Sequence, residues 1–137
     1  MSIKDLSIKY RLDKCEKLHN YARFYDFFLS GRRKEEIKLL EIGIYMGDSL
    51  RMWNEYFPNN ICILGVDTVD WECICKCDCH DYQFDRWTKV CKNQCEVKCP
   101  YGPVSKCLST LGIKTEIGDA SDTEFLDKLK DKYGPFD

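Results

Sequence analysis

The stretch Leu39-Leu40-Glu41-Ile42-Gly43-Ile44-Tyr45-Met46-Gly47-Asp48-Ser49-Leu50 decides the fold. Ile37 to Ile42 is a short apolar run carrying one acid near its end, the pattern of a buried strand. Gly43 and Gly47 bracket a turn, after which Leu50, Trp53, Tyr56 and Phe57 recur at helical spacing. Asp48 or Ser49 is the expected N-cap of that helix and Pro58-Asn59-Asn60 its stop. Ile61 to Val66 reads as a second strand ending at Asp67. Strand, helix and strand within about thirty residues make the βαβ unit of a parallel sheet, for which a right-handed crossover is expected.

Working outward, Leu18, Tyr21, Ala22, Tyr25, Phe28 and Leu29 are spaced by three and four, which predicts a helix from Cys15 to Leu29. Phe24 and Phe27 widen its apolar stripe, and Gly31 with the charge run from Arg32 to Glu36 closes it. Downstream, Ile113 to Ile117 is a third strand, and Ser121-Asp122-Thr123-Glu124 has the form of a capping box. The helix it opens should bury Phe125, Leu129 and Tyr133 and end at Gly134-Pro135, with Phe136-Asp137 beginning a fourth strand. The expected class is α/β, a Rossmann-like parallel sheet incomplete at its C-terminal end, interrupted by a Cys-rich insertion. As one domain it divides into an N-terminal helical segment (1–31), the first βαβ unit (32–70), the insertion (71–107) and the third strand with its helix (108–137).

Composition limits the function classes. At 137 residues, 44% hydrophobic and 32% charged, the chain suits one globular domain and not a disordered one. Twenty-one basic against 23 acidic residues leave a charge of -2, so no global field attracts nucleic acid or an anionic membrane. No apolar run approaches the roughly 18 to 20 residues of a bilayer span, and Met1-Ser2-Ile3-Lys4-Asp5 lacks a signal peptide's apolar region. The expectation is an intracellular, cytoplasmic protein with neither membrane nor nucleic acid as partner.

The first turn suits a ligand pressed against the strand ends. Gly43 lets the backbone turn sharply and approach a ligand without a Cβ, and Gly47 should leave the helix amides unobstructed. Glu41 beside this loop repels a pyrophosphate but accepts hydrogen bonds from an amino-bearing ligand. Asp67, 24 residues after Gly43, stands where an acid accepts both hydroxyls of a ribose. Asp119, in Gly118-Asp119-Ala120-Ser121-Asp122, takes the corresponding place after the third strand, opposite an adenine amino group. Singly these acids are equally well a strand-end charge, a turn residue and a helix-entry acid. In order along three strand ends, they describe one site. The absence of a Gly-Lys-Ser/Thr sequence excludes a P-loop.

These residues resemble the class I S-adenosylmethionine-dependent methyltransferases, and among them the macrocin O-methyltransferase-like sugar methyltransferases. Leu40-Glu41-Ile42-Gly43 with Gly47 and Ser49-Leu50-Arg51-Met52-Trp53 resembles that group's first motif and helix. Tyr56-Phe57-Pro58, Ile63-Leu64-Gly65-Val66-Asp67, Gly118-Asp119-Ala120-Ser121-Asp122 and, upstream, Leu12-Asp13-Lys14 with His19-Asn20-Tyr21 and Tyr25 extend the resemblance. It implies a Rossmann-like methyltransferase fold and transfer of a methyl group from S-adenosylmethionine to a small-molecule hydroxyl, on a sugar. It also implies that Glu41, Gly43 and Gly47 line the methionine end, Asp67 the ribose and Asp119 the adenine. The group's divalent metal and much of its catalytic site would follow Asp137, so a homo-oligomer or a chain supplying the missing half is expected. His19 and His80 are the imidazoles on offer, and neither is singled out as the catalytic base.

The insertion holds eight of the ten cysteines. Cys73, Cys75, Cys77 and Cys79 alternate, so on an extended backbone their thiols project to one side, next to His80. Cys91, Cys95, Cys99 and Cys107 supply a second set. Eight thiols suffice for two tetrahedral zinc ions, or for one with spare cysteines; disulfides and free thiols are the alternatives. Tyr82, Phe84, Arg86, Trp87, Lys89, Lys92, Lys98 and Tyr101 interleave aromatics with bases, but Asp78, Asp81, Asp85 and Glu96 dilute the charge. A surface lobe covering the sheet or cleft is preferred to a nucleic-acid patch. The alternative function is a non-catalytic remnant whose zinc-binding lobe holds a macromolecular partner.

Overall fold

A computed structural model gives the structure over residues 1–13, 19–75 and 97–137. In chain order the elements are helices α1 (Ile3–Lys9) and α2 (Ala22–Leu29), strand β1 (Lys38–Ile42), helix α3 (Asp48–Tyr56) and strands β2 (Cys62–Asp67), β3 (Glu72–Cys75) and β4 (Val97–Pro103). Helix α4 (Val104–Ser109), strand β5 (Lys114–Ile117) and helix α5 (Thr123–Tyr133) complete them.

The three strands read from the sequence form one parallel sheet in the order β1-β2-β5, with β2 central. The register pairs Glu41 with Gly65, Ile42 with Val66 and Asp67 with Ile117, so all three strands end at one edge. β2 is apolar up to Asp67 because both its faces are covered. Ile63 enters a core shared with Ile3 and Leu6 of α1, Leu50, Trp53 and Tyr56 of α3, and Val104 and Leu108 of α4. Cys62, Leu64 and Val66 face the other way, against Leu129, Phe125 and Tyr133 of α5.

Several local expectations change. The cap of α3 is Gly47 in the left-handed conformation; Asp48 and Ser49 already lie inside the helix. The cap of α5 is Asp122, whose side chain accepts from the Glu124 and Phe125 amides, because the Ser121 hydroxyl is committed to Asp119. Of the helix expected from Cys15, residues 14–18 lie outside the described residues, and α2 runs from Ala22. Ala22 is buried while Phe24, Phe27 and Phe28 are exposed, so the stripe does not extend to those phenylalanines. Phe136-Asp137 is not a strand, although the Asp137 N–H donates to the Lys38 carbonyl and begins to flank β1.

The described ends of the insertion are not a separate lobe. β3 and β4 pair antiparallel, and Cys73, Cys99, Val104 and Leu108 enter the α3-side core, with α4 running across residue 107. Among the described residues no helix is long and apolar enough to cross a membrane.

Candidate functional site

The C-terminal edge of an open parallel sheet is where backbone amides and strand-end side chains face solvent together. Here that edge carries the loop from Ile42 to Gly47, the β2 end at Asp67 and the β5 end at Gly118-Asp119. Gly43 has φ +82°, and a Cβ added there would meet nothing within 4 Å, so its backbone stands open to a ligand. Gly47 has φ +75°, but its missing Cβ is filled from inside by Leu108 of α4, whose Cδ1 would be 2.7 Å away. Gly47 therefore admits α4 against the loop, with its missing side chain on the core side.

Asp67 braces this loop. Its Oδ2 accepts from the amides of Ile44 at 3.0 Å and Tyr45 at 2.9 Å, and its Oδ1 from those of Thr68 at 2.8 Å and Val69 at 3.4 Å. Burial raises its proton affinity, yet the Tyr45, Ile44, Val69 and Thr68 amides outweigh that and hold the carboxyl below its usual range. Each oxygen thus accepts from two amides, and the Val69 contact is the longest of the four.

Glu41 is oriented from α3. Ser49 Oγ donates to its Oε1 at 2.6 Å and Trp53 Nε1 to its Oε2 at 3.1 Å. Ser49 and Trp53 are four residues apart and therefore share one helix face. Asp119 is exposed at the β5 end, where the Ser121 N–H and hydroxyl bond its Oδ1 and keep its carboxyl below the usual range. The structure thus brings Glu41, Gly43, Asp67 and Asp119 to one edge and turns Gly47 toward the core.

Residues not read from the sequence also stand here. Tyr45 and Trp71 are exposed and meet edge to face at 5.3 Å, and Val69 and Ile117 are exposed beside the β2 and β5 ends. Apolar side chains left in water at a strand-end cleft suit contact with a flat, partly apolar ligand. The one available signal was Tyr45 lying between two turn glycines. His19 stacks on Tyr21 at 5.6 Å on the N-terminal segment, and His80 lies outside the described residues.

Of the cysteines, Cys73, Cys99 and Cys107 converge, with Sγ atoms all within 4.8 Å of one another. Cys73 and Cys99 are buried, and burial, then hydrogen bonding with Cys99 and Cys107, pushes the Cys73 thiol up. Cys77, Cys79, Cys91 and Cys95, and the side chain of Cys75, lie outside the described residues.

No family model matches the chain. The chain is 28% identical over 142 aligned residues to mycinamicin VI 2''-O-methyltransferase of Micromonospora griseorubida, covering 98% of itself and 27% of that relative. It is likewise 28% identical to demethylmacrocin O-methyltransferase of Streptomyces fradiae, with the same coverage of each. Among solved structures, the MycE methyltransferase from the mycinamycin biosynthetic pathway, in complex with Mg and SAH, superposes with a TM-score of 0.69 at 28% identity. The fold is that of a Rossmann-like methyltransferase. It is a partial one: the chain covers 99% of itself but 30% of MycE. The sequence resemblance to macrolide-sugar O-methyltransferases and the fold agree, since the strand edge carrying Glu41, Gly43 and Asp67 lies inside the part the chain shares with them.

Proposed function

We propose that the chain is the cofactor-binding part of an S-adenosylmethionine-dependent O-methyltransferase whose acceptor is a hydroxyl of a small molecule, of the sugar class. The observation that carries this reading is the meeting, at one strand edge, of an open left-handed Gly43, the Asp67 carboxylate and Asp119. The residues fit the cofactor: the space where a Gly43 side chain would project is empty, and the Val69 amide, the loosest of the four Asp67 contacts, is the one a ribose hydroxyl would displace. When bound, S-adenosylmethionine supplies an electrophilic sulfonium methyl for in-line attack by an oxygen.

In this reading Glu41, fixed by Ser49 and Trp53, receives the ammonium of the methionine end. Asp67 holds the ribose while its amide contacts keep the 42–47 loop in place, and Asp119 faces the adenine amino group. Tyr45 and Trp71 lend apolar cover that excludes water from the cofactor. No described residue is assigned as the base that takes the acceptor's proton. Zinc in the Cys-rich segment and a cytoplasmic setting belong to the same reading.

Calorimetric titration of the zinc-supplemented chain with S-adenosylhomocysteine tests it. The expected result is saturable binding that Asp67→Ala weakens by about 1 to 3 kcal/mol through loss of charged hydrogen bonds. A folded chain that binds nothing, or a folded mutant of unchanged affinity, overturns it.

A further inference from the structure

Three thiols meet where β3, β4 and α4 join, and no element contributes two of them. Cys73 is 3% and Cys99 6% exposed, so these are interior groups. Thiols are weak hydrogen-bond donors, and an odd number of them cannot all be satisfied as disulfides. In a tetrahedral thiolate site with bonds of ~2.3 Å, neighbouring sulfurs stand about 3.8 Å apart. Sulfur atoms already within 4.8 Å reach that spacing by small side-chain adjustments.

One cation lies directly against the cluster. Arg51 Nη2 donates to Cys107 Sγ at 3.2 Å, while Nη1 donates to the Met46 carbonyl at 2.7 Å. Three thiolates around a divalent cation leave one net negative charge beside this guanidinium, whose Nη1 also lies 3.6 Å from Asp48 Oδ1.

We propose that Cys73, Cys99 and Cys107 together bind one thiophilic divalent cation of the zinc class, and that Arg51 is its positioning residue, tying the site to the 42–47 loop. Binding exchanges three thiol protons, released to solvent, for three metal–sulfur bonds, and nothing is oxidised or reduced. The ion fastens the β3–β4 hairpin and α4 to α3. Leu108, next to Cys107, packs over Gly47, so the site stiffens the loop from α4 as well as through Arg51. The ion assignment refines the zinc reading above and stands without the methyl-transfer reading; only its consequence for the cofactor loop rests on the latter.

The test uses the full 137-residue chain, reduced and anaerobic, loaded with cobalt(II) and competed with zinc. Metal content and the thiolate-to-cobalt charge-transfer band are read for the parent, Cys107→Ala, Cys99→Ala and Cys62→Ala. Cys62 is buried in the opposite core and serves as the cysteine control. Cys107→Ala and Cys99→Ala should each lose one ion per chain relative to the parent, and Cys62→Ala none. Arg51→Gln should weaken zinc about tenfold, the usual effect of removing a group that supports a metal ligand. X-ray absorption on the zinc-loaded parent, which needs no variant to fold, should show a sulfur-dominated shell. A parent without bound metal, full metal retention by Cys107→Ala, or a sulfur-free shell overturns the site. Unchanged zinc affinity in Arg51→Gln overturns the positioning role. Metal binding without S-adenosylhomocysteine binding defeats the cofactor reading alone, and the converse defeats this one alone.

Discussion

Gly43 and Gly47 share a left-handed backbone, yet replacing each by alanine should have different consequences. At Gly43, with φ +82° and nothing within 4 Å of an added Cβ, the penalty is backbone strain of ~1–2 kcal/mol. The less flexible unfolded chain returns ~0.4–1 kcal/mol, so the net loss is about 1 kcal/mol. At Gly47, with φ +75°, the same strain applies, but the added Cβ would lie 2.7 Å from Leu108 Cδ1 and 2.9 Å from Cδ2. Leu108 is 0% exposed, so it cannot swing aside without disturbing its core neighbours. Overpacking of this kind adds ~1–3 kcal/mol, for a total of about 2–4 kcal/mol. Urea unfolding at fixed zinc concentration measures both, and unchanged slopes would show that the surface exposed on unfolding is the same in each variant. S-adenosylhomocysteine binding should show the reverse order, with folded Gly43→Ala losing more affinity, since its Cβ projects into the open space assigned to the cofactor. Equal stability losses at the two positions would refute the claim that Gly47 serves the packing of α4.

Other consequences can be checked directly. Asp122→Ala should destabilise the chain by about 1 kcal/mol through loss of the α5 cap, whereas Ser121→Ala should stay within ~0.5 kcal/mol; thermal or urea unfolding separates the two. The folded-state pKa of Asp67 is depressed, so its contribution to stability is full above the ordinary aspartate value of 3.8 and is lost as pH falls through the lower folded value. Asp67→Asn should therefore lower stability near neutral pH and flatten its fall in acid, as seen by urea unfolding at a series of pH values.

β1 and β2 were legible as short apolar runs ended by a turn residue, β2 with both faces buried, whereas β5 (Lys114–Ile117) offered only Ile113 and Ile117 flanking polar residues before Gly118. α2 shows where periodicity stops. Phe24, Phe27 and Phe28 fall on one helical face and Ala22, Tyr25 and Leu29 on another, so spacing finds the helix but not its buried side. The structure buries Ala22, packs Tyr25 and Leu29 half-buried against the core and leaves the first set in water. α1 went unread although Ser2 and Asp5 cap it reciprocally and Ile3 and Leu6 are buried; with 7 residues it is too short to show a period. β3 and β4 pair residues more than twenty apart, a contact that no local pattern encodes.

At the site, the positions of Glu41, Gly43, Asp67 and Asp119 follow from their places at strand ends. Their partners do not: that Asp67 spends its oxygens on loop amides, or that Ser49 and Trp53 aim Glu41, depends on how α3 packs on β1. The cysteines show the same limit, since alternation along Cys73 to Cys79 suggested a local row. Most of that row lies outside the described residues; within them, Cys73 meets Cys99 and Cys107 from other elements, a contact that spacing does not give.

Amide chemical-shift mapping of the labelled, zinc-loaded chain during titration with S-adenosylhomocysteine tests the central claim most directly. The account predicts saturable shifts at Gly43, Tyr45, Asp67 and Asp119 along the strand edge, with α5 unaffected. Saturable shifts confined to other surfaces, or none in a folded chain, would contradict it.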